Sequence, residues 1–203
     1  MILATPLVPE LADFEKYAAK LKAKGQLRSH VHLILCRTGD EVAAIEFDEA
    51  TRALFFKSAV RLVAPEANNV ALSNAFLREG CTFLRDHKEE PGEPAGVPML
   101  YNDPTWGPTR VGWLNEIQAE FYANRMPTTM GRWEDPKADE KVIWGPLVIN
   151  RAYPATSGLM AFLNGTDHWR HYLRHELGRD MVTPATIGRG KDAVLRPPPK
   201  PKS

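Results

Sequence analysis

The fold turns on the stretch SHVHLILCRTGDEVAAIEFD, residues Ser29 to Asp48. Two apolar segments of strand length flank Arg37-Thr38-Gly39-Asp40, and glycine tolerates the positive φ that tight hairpin turns require. The pattern predicts an antiparallel hairpin. On its first strand His30 and His32 would share one side with Ile34 and Cys36, because successive side chains alternate across a strand.

Working outward, residues 9–24 read as an amphipathic helix, with Leu11, Phe14, Ala18 and Leu21 on one side and Gly25 as its stop. Residues 49–63 fit either a continued helix or a third strand ending in SAVRLVA. Asn68 or Asn69 is placed to cap a helix over VALSNAFLREGCTFLRDHKEE, since a short amide side chain can accept from the orphan first-turn N–H groups. Gly80 weakens that helix, and it must end before Pro91. A further helix is predicted from Val111 to Asn124, where Trp113, Leu114, Ile117 and Phe121 form a buried stripe.

The chain has 17 prolines, gathered between Pro91 and Pro108, between Pro127 and Pro146, and at the carboxyl end. Proline has no N–H and a fixed φ, so these runs predict long irregular Pro/Trp-rich segments and extended termini. Gly145-Pro146 within VIWGPLVIN implies two short extended pieces or an edge strand. The expected fold class is therefore α+β, a small antiparallel sheet (the hairpin near 29–48) packed with several helices. Residues 1–178 would form a single domain with irregular insertions at 91–110 and 125–141. Residues 179–203 would be an extended basic arm, which from Arg189 onward carries Arg189, Lys191, Arg196, Lys200 and Lys202 against Asp192 alone.

Composition narrows the function classes. Lys and Arg number 26 against 25 Asp and Glu, so no overall field draws the chain to nucleic acid or an anionic membrane. Cys36 and Cys81 form no C-x-x-C, which argues against a disulfide scaffold or zinc ribbon and suits a reducing compartment. No apolar run reaches membrane-spanning length, and the amino end lacks a basic n-region, so neither membrane insertion nor secretion through a signal peptide is expected. The expected location is the cytoplasm or an assembled particle.

The segment TDHWRHYLRHE, Thr166 to Glu176, carries the densest chemistry. On a helix capped by Thr166, His168, His171 and His175 project as one stripe beside an apolar face of Trp169, Tyr172, Leu173 and Leu177. Imidazoles at i, i+3 and i+7 can share a divalent ion, with Asp167 or Glu176 adding an oxygen ligand. The glutamate that serves as base in His-Glu-x-x-His proteases is absent from His171-Tyr-Leu-Arg-His175, so the stripe reads first as a helix or interface face. No cofactor other than this candidate metal is implied. Gly188-Arg-Gly-Lys-Asp192 fails as a phosphate loop because Asp192 stands where a hydroxyl is needed, and no nucleophile elbow or other catalytic residue stands out.

These observations point to a non-enzymatic structural or assembly subunit of a larger particle, its most concrete form a viral or bacteriophage virion component. Trp106, Trp133, Arg170, Arg174, Arg196 and Lys200 would contact other protein subunits, either copies of this chain or different ones. The alternatives are a metal-dependent enzyme using the histidine cluster and a nucleic-acid-binding accessory protein acting through the basic tail.

Overall fold

The computed structural model describes residues 1–7, 19–21, 23, 32–38, 57–63, 68–89, 91–93, 95–103, 105–125, 128–134, 142–176, 185–188 and 190–197. Its centre is a six-stranded mixed sheet. In chain order the strands are β1 (Ile2–Leu7), β2 (His32–Thr38), β3 (Lys57–Val63), β4 (Met99–Tyr101), β6 (Thr128–Glu134) and β7 (Val142–Ile149). Their spatial order is β3-β2-β1-β4-β7-β6; the first four run parallel, and β7 and β6 are antiparallel additions. A separate two-stranded ribbon pairs β5 (Gly107–Pro108) with β8 (Leu195–Arg196).

This architecture corrects the hairpin at 29–48. His32 to Arg37 pair in parallel with Ile2 to Leu7 on one side, and His32 to Thr38 with Lys57 to Val63 on the other. Both edges of β2 are taken, so no following segment can fold back on it. The run Leu33-Ile34-Leu35 is continuous rather than alternating, which suits a strand covered on both faces. Connections through 8–31 and 39–56 exceed the roughly dozen residues that a parallel crossover needs. His30 and the Gly39-Asp40 turn lie outside the described residues.

Two helices foreseen in the sequence carry the layers. Helix α1 (Asn69–Asp86) is capped by Asn68, whose Oδ1 accepts from the N–H groups of Val70 at 3.0 Å and Ala71 at 2.9 Å. Helix α2 (Trp113–Asn124) starts after Gly112, which takes a positive φ of 82°. Strand alternation then sorts the core. Ile2, Ala4, Met99, Tyr101, Leu147 and Ile149 face α1 through Phe76, Leu77, Cys81 and Leu84, while Leu3, Leu100 and Val148 face α2 through Trp113, Leu114, Ile117 and Phe121. Around β1, β4 and β7 the sheet is buried on both sides.

Short helices α3 (Ala152–Thr156), α4 (Leu159–Phe162) and α5 (Trp169–Glu176) complete the α1 face. The proline-rich segments are more regular than expected. Residues 99–101 are a buried strand, 128–134 form β6, and Gly145-Pro146 sit inside β7 rather than at an edge. Between the pairs Met130↔Leu147 and Arg132↔Trp144, Gly131 alone opposes Gly145 and Pro146, a β-bulge that places the residue without a donor where the ladder is already broken.

The termini are not extended arms within the described residues. The amino end is β1, an interior strand. Near the carboxyl end Ile187, Val194 and Leu195 are buried in the α2-face core, and Glu120 accepts from the backbone N–H groups of Ala185 at 2.6 Å and Thr186 at 2.9 Å. The expectation of an assembly or virion subunit rested on these segments finding burial against other chains. Trp106, at 6% exposure, and Ile187, Val194 and Leu195 find it within this one, so that expectation is withdrawn. No helix among the described residues is long and apolar enough to cross a membrane.

Candidate functional site

In an open α/β sheet, ligands bind outside the carboxyl ends of the strands where the strand order reverses, because helices leaving to opposite faces open a crevice there. Here that point lies between β1 and β4. The crossover from β1 to β2 places Leu21 in the α2-face core, whereas the crossover from β3 to β4 lays α1 on the other face. A cavity of about 260 Å³ sits at this point, with Pro6 from the end of β1, Tyr101 and Asp103 from the end of β4, and Pro146 from β7 in its walls. Asn69 and Ser73 of the first turns of α1, Trp106, Trp169 and Arg170 complete it.

The turn after β4 is built to present Asp103. Asn102 is fully buried; its backbone N–H donates to Ala4 O at 2.8 Å, extending the ladder past the strand. Asp103 Oδ1 accepts from Thr105 N–H at 2.8 Å and from the Thr105 hydroxyl at 2.6 Å, and Trp106 N–H donates to Asp103 O at 3.0 Å. The turn is thereby fixed, and Oδ2 is left without a partner among the described residues.

Opposite, α1 positions the start of α5. Buried Asn74 accepts from Trp169 N–H at 2.9 Å and donates through Nδ2 to Asp167 O at 2.8 Å, while Trp169 Nε1–H donates to Ser73 Oγ at 3.0 Å. Trp169 meets Tyr101 edge-on, with ring centroids 5.9 Å apart. The Arg170 guanidinium lies 4.7 Å above the Trp169 ring centroid, a cation–π geometry that restrains the charge at the mouth. His168, not Thr166, stands immediately before α5, and its Nδ1 accepts from Arg170 N–H at 3.1 Å. Burial, then the charge of Arg170 and His171, lower the His168 pKa to about 4, so the ring is neutral at physiological pH, as an accepting Nδ1 requires.

The chemistry this arrangement offers is specific. A carboxylate oxygen can accept ribose or sugar hydroxyls, a guanidinium can engage phosphate in bidentate fashion, and the aromatic walls can stack against a base or sugar ring. The carboxylate can also share a divalent cation with bound phosphates, since magnesium is commonly held by one or two carboxylates plus the substrate's own oxygens.

Of the residues singled out in the sequence, Arg170 and Trp106 reach this crevice. His171 is exposed, Arg196 is an exposed residue of β8, and His175, Arg174 and Trp133 belong to α5 and β6 with side chains outside the described set, as is Lys200. Asp103, Asn74 and Ser73 were missed. A signal for Asn74 existed, an amide interrupting the apolar face of α1. A larger cavity, about 700 Å³, opens at the opposite edge of the sheet beside Arg85, Arg125 and Arg151. There Arg85 is paired with Asp86, and Arg151 donates to Arg85 O.

No protein-family model and no curated protein matches the sequence. Solved structures similar in outline are glycosyltransferases. The apo form of GlyE from Streptococcus pneumoniae is 11% identical over 90% of this chain and 44% of its own, with a TM-score of 0.49. The galactosyltransferase LgtC, in complex with donor and acceptor sugar analogues, is 12% identical over 87% and 64%, at 0.44, and mouse xyloside xylosyltransferase 1 is 14% identical over 86% and 74%, at 0.40. The chain thus spans less than two thirds of the first two.

Proposed function

We propose that the crevice between β1 and β4 binds a nucleotide-linked sugar and that the chain works as a glycosyl-transfer module, the reaction class of the enzymes named above. The observation that carries this reading is the meeting of Asp103, Arg170 and an aromatic wall at the switch point of the sheet, with the cavity of about 260 Å³ between them. That volume suits one ring, so the remainder of a nucleotide sugar would extend along the open edge.

In the proposed reaction the bond between the anomeric carbon and the diphosphate oxygen breaks, a bond to an acceptor hydroxyl forms, and the hydroxyl proton leaves to a base. Negative charge grows on the departing diphosphate. Arg170, held over Trp169, supplies a fixed positive charge for it, and a fixed charge needs no reorganisation as the reaction proceeds. Asp103 orients the nucleotide through hydroxyls or a shared cation.

Equilibrium binding of a panel of nucleotide-linked hexoses and free nucleoside diphosphates tests the reading. At least one should bind, and Arg170→Ala and Asp103→Asn should each weaken it tenfold or more, about 1.4 kcal/mol. Binding unchanged in both variants, or no binding by any member of the panel, would overturn it.

A further inference from the structure

Away from the crevice, three chemistry-bearing side chains meet at the amino-terminal edge of the parallel strands. His32 opens β2, His87 is the residue on which α1 ends, and Glu93 stands in the segment that returns to β4. They come from three separate stretches, yet one potential ligand atom from each lies within 4.8 Å of the others. His32 Nε2 is 3.0 Å from Glu93 Oε1, and His87 Nε2 is 2.9 Å from Oε2, so a single carboxylate faces two imidazoles. The two rings stand 4.6 Å apart, inclined at 68°. Their side chains are 3%, 7% and 0% exposed for His32, His87 and Glu93.

An ionised carboxylate withdrawn from water costs several kcal/mol unless its oxygens are well satisfied. Two imidazole N–H donors can do so. A divalent cation does so as well, and it uses the imidazoles in the neutral form. Two histidines and a glutamate are a recognised zinc donor set, and donors bound tetrahedrally at 2.0–2.2 Å stand roughly 3.3 Å apart. The two short separations here need open by only a few tenths of an ångström. Phe83 stacks on His87, with centroids 5.6 Å apart and planes 21° from parallel, and so fixes that ring against an apolar wall.

We infer that His32, His87 and Glu93 bind a divalent transition-metal ion, zinc foremost, which ties the start of β2 to the end of α1. The site is independent of the crevice, which opens at the carboxyl ends of the same strands. Its role is to hold the sheet and its covering helix together rather than to act on substrate.

Chelator-stripped protein should be titrated with Zn²⁺ by calorimetry and with Co²⁺ by visible absorption. Expected are one ion per chain, the absorption bands of four-coordinate Co²⁺, and an unfolding midpoint raised by several degrees with Zn²⁺. Glu93→Gln, which keeps shape and hydrogen bonding, should weaken binding at least tenfold. His171→Ala, at an exposed position, should leave it intact. Equal binding by Glu93→Gln and the parent, or loss in His171→Ala, would overturn the assignment. Should Glu93→Gln fail to fold, the parent's Co²⁺ spectrum decides: one-to-one bands support the site, and their absence refutes it.

Discussion

Asn74 shapes the crevice without lining it. By bonding Trp169 N–H and Asp167 O from the middle of α1, it sets the register of α5 and hence the height of Arg170 above the Trp169 ring. His168 completes that local order as a neutral acceptor. Its pKa near 4 lies below the ordinary 6.5, so between those values the unfolded chain binds a proton that the folded one refuses. Stability must therefore be lost as the pH falls from about 6.5 toward 4. His168→Gln keeps an acceptor without the charge, so its unfolding midpoint should decline less steeply across that window, as acid titration followed by calorimetry would detect. Parallel curves would contradict the assignment. Helical spacing marked His168 as a candidate metal ligand and Arg170 as a subunit contact, and Asp103 carries no local mark: only a fold that joins the end of β4 to the start of α5 brings it to the crevice.

At the scale of elements, α1 and α2 were legible and the strand pairings were not. Caps and apolar stripes are local, and Asn68, Trp113 and Phe121 announce α1 and α2 from neighbouring residues alone. Pairing is a long-range property. The apolar run at 33–35 fits a hairpin arm and a central parallel strand equally well until β1 and β3 are known to flank it. Gly80, a weakness of α1 when viewed in isolation, lies where the helix approaches the sheet tightly: a Cβ there would lie 3.1 Å from Met99 Sδ and 3.5 Å from Ala4 Cβ. Gly80→Ala should be nearly neutral, its gain of about 1 kcal/mol in helix propensity set against a contact that flexible Met99 can relieve. Gly80→Val should cost about 1–3 kcal/mol by overpacking, measurable by denaturant unfolding. An unchanged midpoint for the valine variant would mean that the helix sits farther from the sheet.

For the whole molecule, the deciding feature is a sheet buried on both faces. Composition showed that a core could form, but Trp106, Trp133 and the prolines around them were read as surface because irregular segments were expected to seek partners. The bulge at Pro146 and the β5–β8 ribbon show how a proline-rich chain can instead close on itself. Trp113, at 1% exposure in the α2-face core, should accordingly behave as a core residue, with Trp113→Ala costing about 3–5 kcal/mol in equilibrium unfolding. A loss under 1 kcal/mol would argue that this face is covered by something other than the chain itself. The central claim, that the working site is the crevice at the β1/β4 switch point, is tested most directly by a crystal structure with a bound nucleoside diphosphate. Phosphate oxygens should then lie within hydrogen-bonding distance of Arg170, with the sugar or a shared cation at Asp103. A ligand seated instead among Arg85, Arg125 and Arg151 at the opposite edge would contradict it.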